Sequence, residues 1–372
     1  MFFQRFQVPQ NAEMSSAPFH VVWRVYPHLD LVQMSAMLSG IAILERRKVI
    51  SLSVEFMSEV VEGPYAALEL VVTERRTGNT RKVVVDFYDR ADKILPQALE
   101  FSDIYFKRQL GPETRVAARG MYAEKIAPAG LTIAGFSHSA FRHVCLAILG
   151  SLRASQARRS WAAADLLRRA YAELRLWATS LPPDAARLRA TDVKRRHIVF
   201  QPRLWDTVPG SGDHFDIANQ ERIAIVRALR RAFPDQDDTI GLLHSETATA
   251  MARDLLLRRH VTTGTYYKQL RHSLVAVNCT GLSGSVGWKF GEYLAAGTAV
   301  VSQPIEKELL SPVVEGVHYL AYRDPDECAA LCCRLVSDNT MSSRMCEVNR
   351  QYFMDWVNPP AHLMHLLRLT FA

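Results

Sequence analysis

Runs of apolar, β-prone residues alternate with helical segments along almost the whole of this sequence. The run from Pro18 to Tyr26, for example, precedes a segment from Asp30 to Arg46 whose apolar residues recur at helical spacing. Further β-prone runs are KVISLSVEF, ALELVVTER, RKVVVDFYD and SDIYF in the first half, and HIVFQ, TIGLLH, LVAVNC, TAVVSQ and HYLAY in the second. Strands that alternate with helices favour mainly parallel sheets with helices on both faces. The alternation therefore predicts an α/β protein built from doubly wound, Rossmann-like sheets.

The length of 372 residues is too great for one ordinary domain and suits two. The pattern predicts one long helix from about Ser151 to Ser180, which two prolines then end. We expect its buried stripe to consist of Leu167, Tyr171, Leu174, Ala178 and Leu181. Because residues 182–196 resemble a linker, we predict two Rossmann-like domains and a helical tail, over residues 1–185, 186–350 and 351–372.

The composition is that of a folded protein, with 48% hydrophobic and 22% charged residues. No run of about 18 or more apolar residues occurs, so we expect no membrane span. The opening MFFQRFQVPQNAEMSS does not resemble a signal peptide. Cys328 and Cys332 lie one helical turn apart, a spacing that suits a metal, but their apolar neighbours favour two buried free thiols. Six cysteines without a CxxC pair predict a reducing, cytoplasmic location.

The segment GLSGSVGWKFGEYLAAGTAVVSQP, at 281–304, follows a predicted strand and leads into a helix. Its Gly284 and Gly287 allow backbone N–H groups to approach an anion at the N-terminus of that helix. Lys289 at the helix start opposes the helix dipole, so a phosphate explains it better than capping does. Glu292, one turn later, suits the two hydroxyls of a ribose. An ordinary strand–loop–helix unit of any α/β protein explains the spacing equally well.

This segment resembles the nucleotide-sugar-binding segment of GT-B glycosyltransferases, through KFGEYLAAGTAVVSQP. EGVHYLAYRDPDE, at 315–327, resembles the strand and helix that follow in that family. The resemblance covers about residues 197–355 and implies two Rossmann-like domains that face each other. It further implies transfer of a sugar from a nucleoside diphosphate sugar to a hydroxyl acceptor, such as a glycan or a lipid-linked saccharide. The C-terminal domain would hold the donor and the N-terminal domain the acceptor, with neither a metal nor another cofactor.

The resemblance also assigns residues. Gly284, Gly287 and Lys289 would hold the diphosphate, Glu292 the ribose, and Arg203, after HIVFQ, would bind the diphosphate through its planar fork. Arg203 and Lys289 would offset the charge that develops on the leaving group. An exposed or inter-domain position explains Arg203 as well.

One position departs from the family. Retaining members often carry a second glutamate eight positions before the residue that matches Glu292, and Gly284 stands there. The stereochemical outcome is therefore not implied. Two alternatives stay open for this reason: a non-catalytic nucleotide-sugar-binding subunit and a GT-B-like sugar-nucleotide epimerase.

Acidic residues near predicted strand ends of the first half are candidates for the base that deprotonates the acceptor. Asp86 ends the strand RKVVVDFYD, Asp89 follows it, and Asp103 precedes the strand IYF. Helix capping explains Asp89 equally well, and a salt bridge explains Asp103. His138, in a predicted loop, is a weaker candidate.

Two other features invite misinterpretation. The DPD at 324–326 resembles a metal-binding motif, but Asp324, Pro325 and Glu327 fit a capped helix start better, and we expect no metal. The excess positive charge is concentrated between Arg153 and Arg196, with 11 Arg or Lys against 4 Asp or Glu. This run suits an anionic lipid surface at the inner face of a membrane, or simply a solvated outer face. No recognised motif supports binding of nucleic acid.

Overall fold

The computed structural model of the chain describes residues 17–58, 65–118, 122–158, 163–206 and 214–372. The N-terminal segment that does not resemble a signal peptide lies outside these residues. Two β-sheets, each covered by helices, lie in the two halves of the chain. No helix among the described residues is both long and apolar enough to cross a membrane.

The N-terminal sheet has six strands in the order β2-β1-β3-β4-β5-β6. Their bounds are Phe19–Val25 (β1), Ile50–Phe56 (β2), Ala67–Glu74 (β3), Thr80–Asp86 (β4), Ile104–Lys107 (β5) and Ile126–Pro128 (β6). The expectation of a mainly parallel sheet is wrong at β3, which runs antiparallel to both β1 and β4. The hairpin at TGNT causes this reversal, and Gly78 adopts the positive φ of 75° that the turn requires.

Five helices accompany this sheet: α1 (Leu31–Arg46), α2 (Pro96–Phe101), α3 (Pro112–Ala118), α4 (Phe141–Arg158) and α5 (Ala163–Thr179). Helix α1 begins at the predicted position because the side chain of Asp30 accepts a hydrogen bond of 3.2 Å from the backbone N–H of Gln33. The prediction of one helix over 151–180 is wrong, since α4 ends and α5 begins within that range. The predicted buried stripe is also wrong, because α5 packs through its Trp177 face, whose ring lies 4.8 Å from that of Phe141 in α4.

The C-terminal sheet is parallel, with four strands in the order β10-β9-β8-β7. The strands are Arg195–Val199 (β7), Ser273–Asn278 (β8), Ala299–Ser302 (β9) and Leu320–Ala321 (β10). The predicted strand TIGLLH forms isolated bridges instead, from Ile240 to Phe200 and from Leu242 to Leu256. The side chains of β8 and β9 are buried throughout, as expected for central strands of a parallel sheet covered on both faces.

Among the described residues six helices accompany this sheet: α6 (His214–Ala232), α7 (Glu246–Ala252), α8 (Thr263–His272), α9 (Trp288–Ala295), α10 (Pro325–Ser337) and α11 (Asn339–Tyr352). The last helix is α12 (Pro359–Leu369). A single π-helical turn, Phe353–Val357, joins α11 to α12. As predicted, the side chain of Asp324 caps α10 by accepting a 2.8 Å hydrogen bond from the N–H of Glu327. Cys328 and Cys332 are buried in this helix, also as predicted.

The two halves meet closely in two places. Helix α12 packs against α1, and its Leu363, Leu366 and Leu367 join the core of the N-terminal half. Helix α9 approaches the N-terminal half at Gly291, where a Cβ would lie 2.7 Å from a methyl carbon of Ile133. A larger side chain at this position would push the halves apart. The division at 185, 350 and 372 stays a prediction, and the contacts of α12 tie the predicted tail to the N-terminal core.

Candidate functional site

The glycine-rich segment forms a tight turn at the carboxyl edge of the C-terminal sheet, between β8 and α9. The N–H of Gly281 donates a 2.7 Å hydrogen bond to the carbonyl oxygen of Ser285, which closes the turn. Gly284 has a φ of 68°, which a residue with a Cβ adopts only with strain. Gly287 begins α9 without a side-chain cap, so the first N–H groups of this helix are not satisfied by a capping side chain. These are the features of an anion-binding helix N-terminus.

Lys289 lies in the first turn of α9 and points back across the edge of the sheet. Its ammonium donates a hydrogen bond to the carbonyl oxygen of Gln201, which follows β7. The Nζ atom lies 5.3 Å from the centre of the Tyr266 ring, within range of a cation–π contact. Burial disfavours the charged amine and lowers the pKa of Lys289 to about 8, although the nearby Glu292 acts in the opposite direction. The lysine is thus a half-buried cation held beside the turn.

Glu292 is 8% exposed and faces α8. Its two carboxylate oxygens accept hydrogen bonds of 3.1 Å from the hydroxyl of Tyr266 and 3.0 Å from that of Tyr267. Burial raises the pKa of this carboxyl, while Lys289 and the two tyrosine hydroxyls lower it. A carboxylate accepts about four hydrogen bonds, so two of its sites remain for hydroxyls of a ligand. The sequence analysis missed both tyrosines, although the pair TYY at the start of α8 is a visible signal.

Three buried polar atoms around this cluster have no hydrogen-bond partner within the described ranges: Oε1 of Gln201, Nε1 of Trp205 and Nε1 of Trp288. Two hydrogen-bond donors and one hydrogen-bond acceptor without partners at one edge of a sheet are unusual for a folded protein. They are available to a bound molecule that offers both acceptors and donors. We call this cluster the donor-edge site. It consists of the glycine-rich turn, Lys289, Glu292 and these three side chains.

Arg203 lies in the loop that follows β7, at the same edge of the sheet. Its side chain is 65% exposed, and its guanidinium lies 3.7 Å from the carboxylate of Asp206. The backbone oxygen of Arg203 accepts a 2.6 Å hydrogen bond from Arg222, which positions the loop. An exposed cation in a fixed loop at this edge is free to turn toward a phosphate.

We expect Arg203→Ala to weaken binding of a nucleoside diphosphate by about tenfold or more, because one charge-assisted hydrogen bond contributes about 1.5–3 kcal/mol. The nucleoside should bind unchanged, and calorimetric titration of both ligands separates the two effects. Arg231→Ala is the matched control, since its side chain is 66% exposed and lies at the other end of α6, paired with Asp326. Equal losses for both ligands would contradict contact with the diphosphate.

The candidate bases of the N-terminal half occupy different environments. Asp86 ends β4 fully buried, where it accepts hydrogen bonds of 2.9 Å from Lys107 and 2.5 Å from Tyr105. Asp103 precedes β5, at the amino edge of the sheet, and its carboxylate accepts a 2.8 Å hydrogen bond from the N–H of Lys82. The prediction of Asp86 and Asp103 as catalytic bases therefore needs correction. Asp86 is too buried to reach an acceptor, and Asp103 lies at the amino edge of the sheet, opposite the carboxyl ends of the parallel strands.

Asp89 is the acid that reaches the interface between the halves. Its side chain is 58% exposed and pairs at 2.8 Å with Arg108, which is buried. Arg108 in turn donates to the carbonyl oxygen of Val286, in the glycine-rich turn, at 3.3 Å and lies 5.6 Å from the Trp288 ring. Asp89 is thus connected through one guanidinium to the donor-edge site. His138 lies beside Arg46, at the end of α1 away from this interface.

Gln109 links the two halves through a pair of hydrogen bonds. Its side-chain amide donates to the carbonyl oxygen of Val286 at 2.9 Å and accepts from the N–H of Val286 at 3.0 Å. The side chain of Gln109 is 1% exposed, so both bonds are shielded from water. The N-terminal half therefore holds the backbone of the glycine-rich turn, a role that no local pattern in the sequence indicates.

We expect Gln109→Ala to lower the free energy of unfolding by about 1–3 kcal/mol, because it leaves the buried N–H of Val286 unpaired and leaves its C=O with only the 3.3 Å contact to Arg108. Affinity for a nucleoside diphosphate should fall as well, since the turn loses its anchor. Denaturant unfolding and calorimetry measure the two effects. Gln109→Glu keeps an acceptor for the N–H but places a buried carboxylate against the carbonyl oxygen of Val286, so it should be at least as destabilising as alanine. A variant with unchanged stability and affinity would show that the turn does not depend on this contact.

No protein of curated function matches the sequence. Three solved structures show a distant likeness to the chain. The crystal structure of Anabaena Alr3699/HepE with UDP and glucose is 10% identical, with a TM-score of 0.44, over 94% of this chain and 99% of that one. WaaG, a glycosyltransferase involved in lipopolysaccharide biosynthesis, is 9% identical, with a TM-score of 0.38, over 72% and 63% of the two chains. TarM is 14% identical, with a TM-score of 0.34, over 50% of this chain and only 37% of its own length. At such low identities these likenesses assign neither a donor nor an acceptor.

Residues 213–354 match the family model described as glycosyl transferase-like. The matched region contains the glycine-rich turn, Lys289, Glu292 and both tyrosines of α8. The match covers less than half of the chain, so it shows a glycosyl transferase-like region over these residues, set in a chain with two Rossmann-like α/β units.

Proposed function

We propose that the chain transfers a sugar from a nucleoside diphosphate sugar to a hydroxyl acceptor without a metal ion. The observation that carries this proposal is the placing of the half-buried cation Lys289 and the buried carboxylate Glu292 one turn apart on a helix that follows a glycine-rich turn. A diphosphate matches the cation and the N-terminus of α9, and the ribose hydroxyls match the two free acceptor sites of the carboxylate.

In this proposal the leaving diphosphate is stabilised by the protein alone. Lys289 and Arg203 offset the negative charge that develops on the leaving oxygen, and the N–H groups at the start of α9 add a fixed partial positive charge. Both cations belong to the edge of the C-terminal sheet, so they are in place before the acceptor binds.

Asp89 is the proposed base that accepts the proton of the acceptor hydroxyl. It is more exposed than Asp86, and it lies on the interface side of the N-terminal half, next to Arg108. Arg108 contacts the glycine-rich turn, so it holds Asp89 on the side of the donor-edge site. An acceptor bound by the N-terminal half would then meet the donor between the two halves.

A thermal-shift screen against UDP, GDP, CMP and dTDP tests whether the chain binds a nucleotide and identifies which nucleobase it prefers. Stabilisation by one diphosphate supports it, and no shift with any of the four would contradict a nucleotide site. Incubation with the matching nucleotide sugar then separates the activities. Slow release of free sugar indicates a transferase, tight binding without turnover indicates a binding subunit, and an isomerised donor indicates an epimerase.

A further inference from the structure

A lysine and an aspartate face each other in the interior of the N-terminal sheet. Lys107 lies opposite Asp86 on the neighbouring parallel strand, and its ammonium is 2.9 Å from the carboxylate. Both side chains are fully buried. Replacement of a buried ion pair by well-packed apolar residues is often neutral or even stabilising, because removing two charges from water costs about as much as their attraction returns. Stability alone therefore does not explain this pair.

The pair holds the chain directly before Asp89. The Oδ1 atom of Asp86 accepts a 2.8 Å hydrogen bond from the backbone N–H of Tyr88. The ammonium of Lys107 donates a 3.4 Å hydrogen bond to the carbonyl oxygen of Tyr88. This carbonyl belongs to the planar peptide group that leads into Asp89. The two buried charges therefore fix the direction in which the chain enters Asp89.

Tyr105 joins both ends of the loop that carries Asp89. This loop, residues 87–95, connects β4 to α2. The hydroxyl of Tyr105 donates a hydrogen bond of 2.5 Å to Oδ2 of Asp86, the residue before the loop. The same hydroxyl accepts a 3.3 Å hydrogen bond from the N–H of Leu95, the last residue of the loop. One buried side chain thus ties the beginning of the loop to its end.

Asp86, Tyr105 and Lys107 together are called the loop clamp. Tyr105 and Lys107 alternate in β5 and lie on one face of this strand, and all three side chains are fully buried, so none of them can touch a substrate. The next residue of the chain, Arg108, pairs at 2.8 Å with the carboxylate of Asp89. The same short segment therefore holds the loop backbone from within the core and the Asp89 side chain at the interface.

We propose that the loop clamp consists of positioning residues, which fix the 87–95 loop and so hold Asp89 at the interface of the two halves. The inference rests on the proposed function, in which Asp89 is the base. A base acts only within hydrogen-bonding reach of the hydroxyl that it deprotonates, and a displacement of about 1 Å costs about 100-fold in rate. The loop clamp prevents such a displacement, while the Asp89 carboxylate itself stays more than half exposed.

Amide hydrogen exchange of the full-length chain tests the hold on the loop. In Tyr105→Phe the N–H of Leu95 loses its acceptor, so we expect residues 87–95 to exchange about tenfold faster or more. Tyr65→Phe is the matched control, because it also removes a buried hydroxyl that donates to a buried carboxylate of this sheet, that of Glu69. In this control the loop should exchange as in the wild type. Equal exchange in the wild type and Tyr105→Phe would overturn the loop clamp.

Hydrolysis of the nucleotide sugar that matches the thermal-shift result tests the positioning. Asp89→Asn should lower kcat by about 100-fold or more, and Tyr105→Phe by about tenfold. KM should stay unchanged in both, because the C-terminal half holds the donor. In the Asp89→Asn background Tyr105→Phe should have no further effect, since the loop then carries no base to position. Tyr65→Phe should leave kcat unchanged.

A second variant removes the ion pair as a unit. Asp86→Asn with Lys107→Met avoids leaving one buried charge without its partner, which would destabilise the fold strongly. The variant releases the carbonyl oxygen of Tyr88, so kcat should fall at least as far as in Tyr105→Phe. Thermal melts check that each variant is folded.

The outcomes distinguish a failure of this inference from a failure of the proposed function. If Asp89→Asn lowers kcat but both loop-clamp variants match the wild type, the positioning role is overturned. The same follows if Tyr105→Phe lowers kcat equally with and without Asp89, which is the result of a structural role alone. If no nucleotide sugar is turned over, or Asp89→Asn leaves kcat unchanged, the proposed base fails and its positioning falls with it. Hydrogen exchange then still decides whether the loop clamp holds the loop.

Discussion

Glu292→Ala should reduce binding of the donor nucleotide by more than about 100-fold. The carboxylate is placed to accept two ribose hydroxyls, and each hydrogen bond to a charged group contributes about 1.5–3 kcal/mol. The nucleoside alone should lose as much affinity as the nucleoside diphosphate, because the ribose is common to both. Calorimetric titration of both ligands measures this directly.

Glu292 also stabilises the fold, so the experiment needs a second variant that keeps the protein folded. Alanine removes the shared acceptor of the Tyr266 and Tyr267 hydroxyls, which are largely buried. Leaving a buried donor unpaired costs about 1–3 kcal/mol, so the alanine variant should also be less stable. Glu292→Gln keeps the size of the side chain and one acceptor oxygen, and it should lose donor affinity with a smaller loss of stability. A folded glutamine variant with unchanged nucleoside affinity would remove Glu292 from the ribose site.

The second large effect is the pH dependence of diphosphate binding through Lys289. Burial lowers the pKa of this amine to about 8, so its charge is complete well below this value and is lost as the pH rises through it. If the charged form binds the diphosphate, affinity should be constant below about pH 7 and fall by up to about tenfold per pH unit above about pH 8. The affinity for the nucleoside should not follow this profile.

Two variants separate the charge of Lys289 from its shape. Lys289→Met should lose about tenfold or more in diphosphate affinity at neutral pH and show no fall between pH 7 and 9. Lys289→Arg keeps a charge over this range and should also give a flat profile, at higher affinity than methionine. A methionine variant whose pH profile coincides with that of the wild type would show that another group is titrated.

The part of the site that depends on local order in the chain could be predicted from the sequence. The glycine-rich turn needs a strand before it, a helix after it and glycine where φ is positive. Gly284 has the positive φ, and Gly287 stands at the start of the helix. The capped start of α10 at Asp324 was predictable for the same reason, since the cap and its donor are three residues apart. Arg203, Lys289 and Glu292 come to one edge of the sheet because parallel strands present their carboxyl ends together.

Contacts between residues far apart in the chain were decided by the tertiary structure. Asp86 and Asp103 have the same chemistry as Asp89, and only packing shows that one is buried with Lys107 and another lies at the opposite edge of the sheet. Gln109 meets Val286 across 177 residues of chain. Helix α5 has the periodicity of a buried stripe, yet α4 already covers that part of the core and leaves the stripe exposed.

The sequence by itself therefore determined the local turn and the residues it carries, because those depend on backbone geometry and spacing. Burial and partner choice followed from the competition of many segments for one core, which only the folded chain decides.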